Sequence, residues 1–175
     1  GVDLGENQHI KVNENGQTNI DNIYAVGDVT GPPWLAHVSS SEGLYVVECI
    51  ANLNPKKIDY DCIPACTYSK PEIGSIGFDQ NTLDDKGINY KIAKSFFNAN
   101  GRAVASGSTD GFIKILVSDD NLILGAHIIG SNATEMISEF SLAMSNQLTV
   151  ENILGSVHPH PTFSEAIFET LMQLK

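Results

Sequence analysis

The run His158-Pro159-His160-Pro161-Thr162-Phe163-Ser164-Glu165, close to the C-terminus, sets an imidazole between two prolines with a carboxylate shortly after it. Proline fixes its own φ and biases the residue before it towards extended geometry, so His158 and His160 are expected on stiff, non-helical backbone. A histidine held that way, with a carboxylate able to fold back onto it, has the makings of a general base. The same letters also spell Thr162-x-x-Glu165, a capping box in which the glutamate binds backbone and does no chemistry. On these residues alone the two readings stand level. His158 reads equally well as a structural histidine.

The elements that must position this run follow from pattern. Strands are expected at 63–68, 73–77, 90–97, 111–117 and 122–129, with Asp119-Asp120-Asn121 as the hairpin turn between the last two. Helices are expected at 80–86, closed by Gly87, and at 149–154. A longer helix begins with Asn132 as N-cap and carries Ala133, Met136, Ile137, Phe140 and Met144 on one face. The last helix is expected over 162–174, with Phe163, Ala166, Ile167 and Leu171 inward. Strands clustered first and helices second indicate an α+β domain, an antiparallel sheet with helices packed on one side.

Before Asn54-Pro55 the pattern is different. Ile23 to Val26 reads as a buried strand running into Gly27-Asp28, and a helix is expected over 35–53 with Val38, Tyr45, Val46, Cys49, Ile50 and Leu53 on its stripe. Ser39-Ser40-Ser41 are small and leave room for a close approach to the first turn. These pieces are too few to close a core. Residues 1–62 are therefore expected to be the end of a larger domain, on their own loosely held, swapped or covered by a neighbouring chain, and 63–175 a domain in itself.

Composition narrows the function. Lys+Arg 10 against Asp+Glu 21 gives a net charge of −11 with no basic block, a surface that repels nucleic acid and anionic membranes. No apolar run approaches a membrane span. Three cysteines, Cys49, Cys62 and Cys66, fit a reducing cytoplasm better than a secreted disulfide framework. On one extended strand Cys62 and Cys66 would point to one face about 13 Å apart, too far for a disulfide. No metal-ligand spacing is present.

Three motifs in order resemble the pyridine nucleotide–disulfide oxidoreductases. Thr18-Asn19-Ile20-Asp21-Asn22-Ile23-Tyr24-Ala25-Val26-Gly27-Asp28 resembles that family's second flavin-contact motif, and Leu35-Ala36-His37 follows at the family's spacing. Cys66-Thr67-Tyr68-Ser69-Lys70-Pro71-Glu72-Ile73-Gly74-Ser75-Ile76-Gly77 resembles the first two strands of its interface domain. The His-Pro-His-Pro-Thr-Phe-Ser-Glu run completes the set, and its extra histidine resembles the branch that oxidises dihydrolipoamide.

The resemblance implies roles. Asp28 matches the aspartate that accepts from the ribityl chain of FAD, and Trp34, Leu35, Ala36 and His37 match the segment against the isoalloxazine ring, where the following helix's positive end favours negative charge. Trp34 departs from the family, which usually has methionine there. His160 matches the proton acceptor and Glu165 the carboxylate that orients and charges it. In that scheme a thiol of dihydrolipoamide gives its proton to His160, the thiolate attacks a redox disulfide, and electrons pass through FAD to NAD.

The resemblance also implies a homodimer, in which His160 serves the opposite subunit's flavin. A lipoyl-bearing subunit of a 2-oxo acid dehydrogenase or glycine cleavage complex is the implied partner. The chain carries neither a Gly-x-Gly-x-x-Gly nor a Cys-x-x-x-x-Cys. It is accordingly expected to be the C-terminal part of such an enzyme, inactive alone. The alternatives are a glutathione-reductase-like relative, against which Ala166 after Glu165 speaks, and a dimerisation module without chemistry.

Overall fold

The structure, a computed structural model, describes residues 1–5 and 7–175. It divides into two compact units, Gly1–Asp59 and Tyr60–Lys175.

In the first unit the expected strand at 23–26 does not form. Tyr24 makes a single bridge to Gln17, and Ile23 is exposed. Thr18 N–H donates to the Ile23 carbonyl and Ala25 N–H to that of Gly16, a short return of chain with no ladder beyond it among the described residues. An apolar run becomes a strand only where a neighbour offers continuous pairing. The 3-10 turn Gly27–Thr30 follows, then helix α1, Ala36–Ile50. Gly27 N–H donates to Glu42 Oε2 at 2.6 Å, and a Cβ on Gly27 would stand 2.6 Å from Ser39 Oγ. The small serine is what admits this turn. α1 buries Val38 and Val46 but leaves Ile50 exposed, and it stops short of the exposed Leu53 because Asn52 takes a left-handed φ of 58°.

The second unit is a five-stranded antiparallel sheet in the order β1-β2-β5-β4-β3. Its strands are β1 Ala65–Thr67, β2 Glu72–Gly77, β3 Lys91–Phe96, β4 Phe112–Val117 and β5 Ile123–Gly130. Cys62 is not on β1 but in a 3-10 turn, Tyr60–Cys62, so the pictured Cys62–Cys66 strand pair does not exist. The hairpin turn is as expected, with Asn121 at φ 62° and Ser118 N–H donating to the Leu122 carbonyl.

Register places Gly74 and Ile76 opposite Ile128 and Ala126, and these opposite Ile113 and Ile115, on one face. On that face lies the core, against α4 (Ala133–Ser145) over β2 and β5 and α6 (Glu165–Leu171) over β3 and β4. The short α2, Gln80–Lys86, ends at Gly87 with φ 66°. Its Gln80 accepts from Lys114, whose register puts it on the opposite face. α5, Val150–Leu154, adds Val150 and Ile153 to the core.

Two features differ from pattern. Asn132 precedes α4 but its side chain does not cap it, because its backbone is left-handed at φ 62°. Glu72 caps instead, from β2: Thr134 donates to its Oε2 through N–H at 3.2 Å and through Oγ1 at 2.8 Å. A further helix, α3, spans Gly101–Ser106, with Asn100 as its N-cap and Gly107 closing it at φ 66°.

Candidate active site

α6 starts at Glu165 rather than Thr162, and the residues before it form the turn that carries the histidines. Phe163 is buried edge-on against Phe97, with centroids 5.9 Å apart, and fixes the depth of this turn. At the far end of α6 the Thr170 hydroxyl meets that of Ser95 on β3, so the helix is tied to the sheet by a polar contact as well as by Ile167 and Leu171.

One carboxylate serves both readings of the run. Glu165 Oε2 accepts from Thr162 N–H at 2.8 Å, as a capping glutamate does. Its Oε1 lies 2.8 Å from His160 Nδ1. The capping box is not reciprocal, because Thr162 Oγ1 donates to the Pro159 carbonyl at 2.7 Å. The Thr162 amide, and after it the His160 hydrogen bond, hold the Glu165 carboxyl below the usual glutamate range, partial burial opposing them. The carboxylate is thus kept ionised beside the ring.

The His160 side chain is 75% exposed, the Glu165 side chain 21%. With Nδ1 on the carboxylate, the ring presents Nε2 on the side away from that contact. Such an imidazole is oriented and open to a proton donor from solution or from another molecule. The His160–Pro161 peptide is cis.

His158 is built differently. Its side chain is 8% exposed, Nε2 lies 3.0 Å from Glu139 Oε1 on α4, and Nδ1 lies 3.2 Å from the Ser156 carbonyl. Both nitrogens are engaged within the fold. One turn beyond Glu165, burial and then the charge of Glu165 push the Glu169 carboxyl up.

The remaining sequence-derived residues lie in the first unit, gathered along one loop and helix start. Asp28 is exposed within the 3-10 turn, Trp34 is 63% exposed with the His9 ring 6.3 Å away, and Leu35 is extended at the N-cap of α1. Ala36 and His37 open the helix and are exposed. An accessible carboxylate, an accessible aromatic face and the positive end of a helix fit the polar and ring portions of a flavin. Pattern did not mark Asn100 or Glu139. The first sits at a helix start that went unread, and the second shows its use only when α4 meets the histidine turn. Among the described residues no group of His, Cys, Asp and Glu could hold a metal ion, and no helix is long and apolar enough to cross a membrane.

This five-stranded sheet with its helices is that of a dimerisation domain. The chain belongs to the pyridine nucleotide-disulphide oxidoreductases: the family's dimerisation domain matches residues 63–171, and its pyridine nucleotide-disulphide oxidoreductase domain matches residues 1–43. A dihydrolipoyl dehydrogenase of Bacillus subtilis (strain 168) is 46% identical over 95% of this chain and 35% of its own length. The mitochondrial dihydrolipoyl dehydrogenase of Caenorhabditis elegans is 43% identical over 96% of this chain and 34% of its own. The crystal structure of LpdA from Mycobacterium tuberculosis superposes with a TM-score of 0.94 at 26% identity, covering 100% of this chain and 38% of that one. The chain thus spans about a third of the length of the curated relatives it matches.

Proposed function

We propose that this chain is the C-terminal part of a dihydrolipoyl dehydrogenase, the flavoprotein that reoxidises dihydrolipoamide with NAD. In this reading residues 1–62 are the end of the FAD-binding domain and 63–175 the interface domain of a homodimer. The partner is the lipoyl-bearing subunit of a 2-oxo acid dehydrogenase or glycine cleavage complex. The observation that carries the reading is the His160–Glu165 pair, a 2.8 Å contact on an exposed ring.

His160 Nε2 takes the thiol proton of dihydrolipoamide, and Glu165 balances the imidazolium that results. The thiolate so formed attacks a disulfide elsewhere in the longer protein, making a mixed disulfide as the disulfide's own S–S bond breaks and its other sulfur leaves as a thiolate. Asp28 would accept from a hydroxyl of a bound flavin, and the segment from Trp34 to His37, at the positive end of α1, would hold its ring. FAD, when bound, supplies the passage of the electron pair from dithiol to NAD. Alone, the chain is not expected to hold FAD tightly or to reduce NAD with dihydrolipoamide.

The test is His160→Gln in the full-length enzyme, assayed with dihydrolipoamide against reduced glutathione. Turnover with dihydrolipoamide is expected to fall by on the order of 10²- to 10⁴-fold. Unchanged turnover would favour a dimerisation module, and preference for glutathione in the unmutated enzyme would move it to the glutathione-reductase-like branch. Stoichiometric yellow flavin on the isolated chain after desalting would contradict the expectation for the fragment.

A further inference from the structure

Among the described residues Asn100 is one of two polar residues buried almost completely, at 1% exposure. Its side chain spends both ends. Oδ1 accepts from Ala103 N–H at 3.0 Å and so caps α3. Nδ2 donates to the Thr162 carbonyl at 3.0 Å, across a sequence separation of 62. Thr162 is the residue whose amide holds Glu165 Oε2, and whose hydroxyl holds Pro159.

The turn has another anchor, Phe163 on Phe97. Ring packing sets how deep the chain sits but is weakly directional about the neighbouring peptide planes. A hydrogen bond is directional, so the Asn100 amide is what fixes the rotation of the backbone at Thr162. From there the path is short: Thr162 amide to Glu165, Glu165 to His160.

We infer that Asn100 is a positioning residue for the His160–Glu165 pair, setting through Thr162 the place of the carboxylate that meets the imidazole. The inference rests on reading that pair as the acid–base centre.

The test uses the whole chain, isotope-labelled, with Asn100→Ser. Serine is a good N-cap and keeps an acceptor for Ala103, but its hydroxyl is too short to replace the amide at Thr162. Ala103 should keep its amide protection. The Thr162 amide should exchange faster, and the Glu165 carboxyl, read by ¹³C NMR, should titrate at higher pH, because that amide is the largest cause holding it down. A helix-only role for Asn100 would move neither.

Should Asn100→Ser fail to fold, Asn100→Asp keeps the cap oxygen and the side-chain size while facing the Thr162 carbonyl with an acceptor. Faster Thr162 exchange in that variant supports the inference. Wild-type Thr162 exchange in whichever variant folds, or an unmoved Glu165 titration in Asn100→Ser, overturns it. If both readouts move while His160→Gln leaves full-length turnover intact, the positioning stands and the acid–base reading falls.

Discussion

Gly74 of β2 passes directly beneath Ala133 of α4: a Cβ on Gly74 would stand 2.6 Å from the Ala133 carbonyl oxygen and 3.1 Å from the Cβ of Ile137. Both obstacles are backbone or the root of a side chain, so neither can swing away. Gly74→Ala must lift the helix from the sheet, and overpacking of this kind costs about 1–3 kcal/mol. Gly101, the first residue of α3, has open space around it. Gly101→Ala should be neutral or gain about 0.4–1 kcal/mol. Urea denaturation of the two variants beside the parent checks both, and equal midpoints for Gly74→Ala and the parent would refute the close packing.

Glu165→Gln separates capping from charge. Glutamine can still accept from the Thr162 amide, though without the charge that strengthens that bond, so the fold should persist with a modest loss of stability at neutral pH. It cannot balance an imidazolium. On the function proposed above, turnover of the full-length protein with dihydrolipoamide should therefore drop by on the order of 10²-fold, with KM little altered. Steady-state kinetics decides, and full turnover would leave the glutamate as a cap alone.

Acid should reveal the same carboxylate. Because folding lowers the Glu165 carboxyl, the unfolded chain binds its proton first as pH falls. The stabilisation it gives is complete above the ordinary glutamate value and is lost as pH drops through the lowered one. The stability difference between the parent and Glu165→Gln should shrink on acidification over that window. A difference that stayed constant or grew would contradict the assignment. Glu169 offers an independent reading, since the charge of Glu165 is the lesser of two causes raising it. In Glu165→Gln its titration should move down without reaching the ordinary range, because burial remains.

Cys66 should be a slow nucleophile. Burial pushes its thiol up, and its Sγ lies 3.9 Å from the Thr134 carbonyl. Only the thiolate reacts with iodoacetamide, so alkylation of Cys66 near neutral pH should be slow in the folded chain and quicken on unfolding. Mass spectrometry after timed labelling measures this, and rapid labelling of Cys66 in the native state would count against its burial.

How much of this was legible in the sequence depends on how local each cause is. The hairpin at Asn121, the close of α2 at Gly87 and the alternation of β4 and β5 arise within a few residues, and pattern located them. The run at 23–26 was misread because an apolar stretch says nothing of whether a ladder partner exists. α3 was overlooked because it is short and opens on glycine, a poor helix former. The cap of α4 comes from Glu72, a separation of 62 residues from Thr134, and no local rule finds it. In the candidate site, His160 and Glu165 were named by spacing, but spacing offered capping or catalysis as alternatives. The geometry shows one carboxylate with an oxygen for each. Asn100 was invisible for the reason Glu72 was: its partner lies far along the chain.

β3 is the outermost strand on its side of the sheet, and the helix bearing Glu165 rests on it through Ser95 and Thr170. Borders of a sheet fray before its centre does. Gentle warming should accordingly blur the aim of the His160 ring while the inner strands still hold, so loss of the His160–Glu165 alignment and global melting are separable events in this molecule.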